Sequence, residues 1–155
     1  MISMKHRTFA QIELGESFES YGRTVTESDI VNFTCLAGLK LPIFIDAEFC
    51  KTQTPFGQRI VPGLLIQALA AGMMEELIGP HTIAALGFGE SRFVRPAFIG
   101  DTLRTLSRVS SKRLTTSDPN RGLINIDVDV VNQRRESLVL CSYHLLMRAG
   151  DGVVA

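Results

Sequence analysis

Side chains able to move a proton are scarce near the middle of this chain, yet one backbone feature there invites a ligand. Gly63 follows Pro62 and opens an apolar stretch, GLLIQALAAGMM. A helix beginning there presents N–H groups without intrahelical partners and the positive end of its dipole, a combination that polarises a carbonyl. Pro62 has no N–H, so the donors are Gly63, Leu64 and Leu65. A glycine placed only for tight helix-to-sheet packing is the competing reading. Gln67, one turn on, is a polar group suited to lining a pocket. The nearest upstream carboxylate is Asp46, directly before AEFCKT. If 42–46 is extended, Asp46 shares a face with Phe44 and becomes a weak acid–base candidate. Capping a short helix explains it more economically.

Other reactive residue types fit structural roles. His6 lies near the start, His81 after a Gly-Pro turn where it should be exposed, and His144 in a strand-like run. Glu75 and Glu76 form the polar end of the apolar stretch and should be solvated. The three cysteines, Cys35, Cys50 and Cys141, lack metal-ligand spacing, and an odd number argues against a closed disulfide set. Cys35 and Cys141 sit in apolar patterns and read as small core residues. No base can be placed beside either.

The elements that must position these groups can be read from patterning. The 155 residues are enough for one domain, taken as 1–155, with a sizeable core and no need of disulfides or metals. Hydrophobic residues at 45% and charged ones at 21% describe a globular chain. Sixteen basic and sixteen acidic residues leave no electrostatic footprint for nucleic acid. The arginines and lysine within 104–113, and Arg134-Arg135, read as solvated strand and turn positions. No apolar run is long enough to cross a bilayer and the first residues do not resemble a signal peptide, so a reducing cytoplasm is the expected location.

A first strand is expected over 17–25. Thr26 then reads as a helix N-cap with Asp29 completing a capping box, and Gly38 as the terminator. The segment 63–78 is apolar nearly all round, which predicts a buried helix about 24 Å long. Strands are expected at 88–94, at 102–114 with a bulge, across the alternating Ile124, Ile126, Val128 and Val130, and at 139–147. The last two should form a hairpin around 134–136. Strand, buried helix, then strands is an α+β order.

Gly38, Pro42, Ile43, Phe56, Gly57, Gly63, Arg95, Pro96, Gly100 and Asp101 together resemble the MaoC-type dehydratase family. Its well-known members are R-specific enoyl-CoA hydratases. The resemblance covers 26–101 and implies a single hotdog fold, in which a curved antiparallel sheet wraps a long buried helix. It implies an acyl-CoA or acyl carrier protein thioester as ligand, with coenzyme A part of the substrate and no other cofactor or metal. It also implies a homodimer or higher oligomer.

The family signature reads Gly-Asp-x-Asn-Pro-x-His, whereas this chain has Leu39, Leu41 and Phe44 at the Asp, Asn and His positions. In the family the Asp and His handle the water and the proton, and the glycine amide matching Gly63 polarises the thioester carbonyl. Canonical hydration is therefore expected to be weak or absent. Gly63, Leu64, Gln67 and Phe44 are the expected substrate contacts, with Arg92 and Arg95 meeting either a coenzyme A phosphate or a surface acid. Three functions stay open: a lyase with another acid–base set, a non-catalytic thioester-binding or partner subunit, and a thioesterase. The absence of Asp or Glu from the first two turns after Gly63 weighs against the last.

Overall fold

The computed structural model describes residues 7–75 and 79–150. Seven antiparallel strands form the sheet: β1 (Ser17–Glu19), β2 (Arg23–Thr24), β3 (Thr82–Phe88), β4 (Arg92–Phe93), β5 (Thr102–Leu114), β6 (Arg121–Val131) and β7 (Ser137–Arg148). They run in the order β1-β5-β6-β7-β3, with β2 also on β5 and β4 also on β7. Among the described residues four α-helices accompany them: α1 (Glu27–Ala37), α2 (Pro42–Ile45), α3 (Ala47–Gln53) and α4 (Gly63–Met73).

Alternation decides which face of the sheet is covered. Ile124, Ile126, Val128 and Val130 on β6, with Val139, Cys141, Tyr143, Leu145 and Met147 on β7, are all buried. They pack with Leu65, Ile66, Ala70 and Met73 of α4 in one core. This is the α+β arrangement of a single hotdog. The β6–β7 hairpin and the bulge in β5, between Val109 and Ser111, fall where the sequence places them.

Other elements depart from expectation. The strand expected over 17–25 is divided, because its register on β5 slips by one residue between Glu19 and Arg23. Ser20 spans the break, its amide donating to Thr105 O and its hydroxyl accepting from Thr105 N. The strand expected at 88–94 lies mostly earlier, at β3, leaving β4 with two residues. Two register shifts in β3 erase the period-two signal that would have marked it.

α4 differs from a fully buried rod along one stripe. Leu64 is 58% exposed, and Ala68 and Gly72 continue that open stripe. The helical segment expected to reach 78 is α4 only as far as Met73, and residues 76–78, including Glu76, lie outside the described residues, as does His6. His81 is half-buried, not exposed.

One glycine is fixed by packing. A side-chain carbon at Gly122 would lie 2.2 Å from the ring of Phe9, itself 6% exposed. Gly122→Ala must therefore displace a buried aromatic ring, and we expect it to destabilise the protein by about 1–3 kcal/mol. Urea denaturation of the two proteins side by side measures this; an unchanged midpoint would exclude the contact.

Candidate active site

The site is assembled from the C-terminus of α1 onward. Thr26 accepts from the Asp29 amide, and the Asp29 carboxylate accepts from the Thr26 amide at 2.7 Å, which fixes where α1 starts. Burial works to raise the Asp29 pKa, but bonds from Thr26 and the Arg23 guanidinium overcome it and hold the carboxyl below its ordinary range. Gly38 ends the helix at φ 65°, and the Leu39 amide reaches back to Thr34 O at 2.9 Å. That left-handed turn is what glycine permits at low cost. Ile30 and Thr34 face the core from α1. Cys35 is one residue further round and exposed, contrary to the core role expected for it.

The segment expected to be extended is helical. Pro42 opens α2, and the Asp46 amide closes it by donating to Pro42 O at 2.8 Å. Pro42 stops α1 from continuing but suits the first position of a new helix, since its missing N–H would have been unused there. Phe44 and Asp46 therefore do not share a strand face. The Asp46 carboxylate instead accepts from the Phe49 amide at 2.8 Å and caps α3. Its candidacy as a substitute acid has no geometric support.

The start of α4 is hung between α2 and the chain after β4. Ile60 N donates to Ile43 O, Val61 N donates to Ala97 O at 2.8 Å, and Ile60 bridges Phe98. These bonds bring the 39–46 segment beside the residues that lead into Gly63. Leu39 and Phe44 are half-buried, while Leu41 is 55% exposed. None carries a group that can exchange a proton. Of the three expected amide donors, Leu65 is already bonded to Pro62 O at 2.9 Å. Gly63 and Leu64 donate to no described residue, which leaves two N–H groups at the positive end of the helix.

Gly63 also has a packing reason. A side-chain carbon there would come within 2.4 Å of the Phe93 ring. Phe93 is 55% exposed, so the ring covers the glycine from the solvent side. Both readings of Gly63 thus have a physical basis.

Gln67 is buried and held by neighbours the sequence did not single out. Its amide donates to Ser91 Oγ at 2.6 Å, and its backbone oxygen accepts from Tyr143 Oη at 2.9 Å. Tyr143 meets Phe88 edge-on, with ring centroids 4.6 Å apart. Burial raises the pKa of the Cys141 thiol, opposed by a hydrogen bond with Gln67, and burial pushes the Tyr143 phenol well up. Both groups stay protonated and serve as packing and hydrogen-bonding parts. Ser91 lies just before β4 and Phe93 within it, and a strand of two residues gives period-two reasoning nothing to grip.

The two arginines do not converge on Gly63. Arg92 pairs with Glu90 at 2.8 Å, and Arg95 donates to Ser137 O at 3.3 Å. Arg92 lines an open groove of about 470 Å³ together with Leu106, Arg108, Asp127, Leu140 and Ser142, among others. The strand residues in that group lie opposite the face covered by α4. Among the described residues no cluster of three or more His, Cys, Asp or Glu could hold a metal ion, and no helix is long and apolar enough to cross a membrane.

A sheet packed on one central helix, with an amide-bearing glycine at that helix's start, defines the class. The MaoC-like domain model matches residues 9–130, and the chain belongs to that family of dehydratases and hydratases. It is 36% identical over 107 residues to Protein MaoC of Klebsiella aerogenes, covering 69% of this chain and 31% of that protein. It is 27% identical over 150 residues to a beta-methylmalyl-CoA dehydratase of Chloroflexus aurantiacus, covering 92% of this chain and 40% of that one. The chain therefore spans only about a third to two-fifths of these curated relatives. The unliganded R-hydratase PhaJ1 of Pseudomonas aeruginosa superposes with a TM-score of 0.75 at 28% identity, over 96% of this chain and 91% of that chain.

Proposed function

We propose that this chain binds an acyl thioester, carried on coenzyme A or acyl carrier protein, with the carbonyl at the start of α4. The observation carrying this reading is the pair of amides, Gly63 and Leu64, left without a described partner at the start of α4, whose lead-in is bonded to α2 through Ile60 N and Ile43 O. Hydration by the family's usual route is weak or absent, because Leu39, Leu41 and Phe44 replace the acid–base groups. The names of the Chloroflexus and Pseudomonas relatives support a dehydratase or hydratase ancestry and, for the former, a CoA substrate. The experiment is calorimetric titration with crotonyl-CoA, alongside its enoyl absorbance. Micromolar binding without turnover is the expected result; no binding would overturn the thioester reading, and fast turnover the inactive one.

The β3 edge of the sheet supports a non-catalytic partner role within a homodimer. β3 ends the sheet order, and its Ile83, Leu86 and Phe88 are 41%, 56% and 54% exposed. An open apolar edge invites antiparallel pairing with a second copy across a two-fold axis. The open Leu64 stripe of α4 adds apolar surface for such a partner. We expect light scattering to give a dimer at micromolar concentration and Leu86→Lys to shift it to monomer; a monomeric parent protein would dismiss the assembly. A reducing cytoplasm suits three cysteines without disulfides.

A further inference from the structure

The outer face of the sheet carries a nucleophile–base–orienter set that the thioester site does not use. Ser142 and His144 alternate on β7, and Asn125 pairs in register with His144 across β6. Ser142 Oγ lies 3.4 Å from His144 Nε2, and His144 Nδ1 lies 2.8 Å from Asn125 Oδ1. The Asn125 oxygen can only accept, so Nδ1 carries the ring proton and Nε2 turns its lone pair toward Ser142. A separation of 3.4 Å is within the looser range that ligand-free acid–base sets adopt.

Two further features bear on this set. Ser142 is also part of the lining of the open 470 Å³ groove, where Leu106 and Leu140 lie among Arg92, Arg108 and the carboxylates of Glu90, Asp127 and Asp129. On the neighbouring strand end, a side-chain carbon at Gly89 would fall 2.1 Å from Ser142 Oγ and 2.9 Å from His144 Nε2. Glycine at that place is what allows both reactive atoms to lie where they do.

We propose that Ser142, His144 and Asn125 form a second, acyl-transfer site that hydrolyses short-chain carboxylic esters and thioesters. Ser142 Oγ attacks the acyl carbonyl while His144 Nε2 takes its proton. The bond to the alcohol or thiol then breaks, and the leaving group departs with that proton. Water attacks the acyl-serine next, passing a proton through His144 back to Ser142 and releasing the carboxylic acid. Asn125 holds the imidazole in the required tautomer, and Leu106 and Leu140 receive the acyl chain. Arg108, which shares the groove lining with Ser142, supplies positive charge for the oxyanion that forms in each step, while Arg92 is held by Glu90. The site lies across the sheet from Gly63, so its activity is independent of thioester hydration.

The test is to incubate the full chain with a fluorophosphonate probe, digest with trypsin and map the adduct by fragmentation. Fragmentation is needed because Ser137 and Ser142 fall in the same tryptic peptide. p-Nitrophenyl butyrate hydrolysis is followed in parallel. The probe is expected on Ser142. Ser142→Ala and His144→Ala are expected to cut hydrolysis by roughly 10²-fold or more, and Asn125→Leu by less. Folded wild-type protein with no adduct at Ser142, or a Ser142→Ala variant that hydrolyses the ester at the wild-type rate, overturns the proposal. The wild-type labelling result decides even if a variant fails to fold.

Discussion

Installing Leu39→Asp, Leu41→Asn and Phe44→His together is expected to raise hydration of a short enoyl-CoA by roughly 10²–10⁴-fold over the unmodified protein. The expectation rests on how the segment is held. Gly38 turns the chain out of α1 through a left-handed residue, and the Leu39 amide is tied to Thr34 O, so position 39 has a defined direction. Position 44 sits inside α2, whose Ile43 carbonyl is bonded to Ile60 N. Position 44 is thereby tied through α2 to the residues that lead into Gly63, and position 39 to the end of α1. Returning the polar groups restores the acid–base pair on a segment joined to the lead-in of α4, whose first amides are free to polarise a carbonyl.

An opposing term comes from burial. Leu39 and Phe44 are half-buried, so a carboxylate and an imidazole introduced there lose part of their hydration. That loss raises the carboxyl pKa and lowers that of the imidazole, unless each finds the other. The three substitutions are therefore made together, since groups that act as a unit do not contribute independently. Loss of enoyl absorbance reports the rate, and circular dichroism confirms folding. A folded triple variant no faster than its parent would mean that the pocket, and not only its acid–base pair, has diverged.

What could be read from the sequence divides along a physical line. Thr26 with Asp29, Gly38, and the alternation from Ile124 to Val130 were legible because each is decided within a few residues of itself. A cap, a left-handed turn and a half-buried strand need no knowledge of the rest of the chain. The helix at Pro42–Ile45 was not legible, because one residue type carries two opposite messages there: proline forbids an incoming helix and favours an outgoing one. β3 was obscured by its bulges, and Cys35 by the narrow buried face of α1. The ring of Phe93 over Gly63 is a contact between residues thirty positions apart. No local pattern encodes it, yet it bears directly on the site.

That contact makes the final expectation a discriminating one. Gly63→Ala places a methyl group where the Phe93 ring now sits, at 2.4 Å, so the ring must move. Phe93 is more than half exposed and can swing into solvent, so the stability cost should be small, within about 1 kcal/mol. The consequence for a ligand is larger. A methyl group and a displaced ring at the start of α4 crowd the space in front of the Gly63 and Leu64 amides. Binding of crotonyl-CoA is expected to weaken at least tenfold, a loss of about 1.4 kcal/mol. Removing the ring separates the two roles of the glycine. If Gly63 serves packing alone, Phe93→Ala relieves the clash and the double variant Gly63→Ala/Phe93→Ala melts like Phe93→Ala, with binding untouched throughout. If the amide holds a carbonyl, the double variant regains its melting temperature while its affinity stays low, because the methyl group still stands before the donor. Calorimetric affinities and melting curves of the three variants distinguish these outcomes, and full affinity in Gly63→Ala would remove the carbonyl from the start of α4.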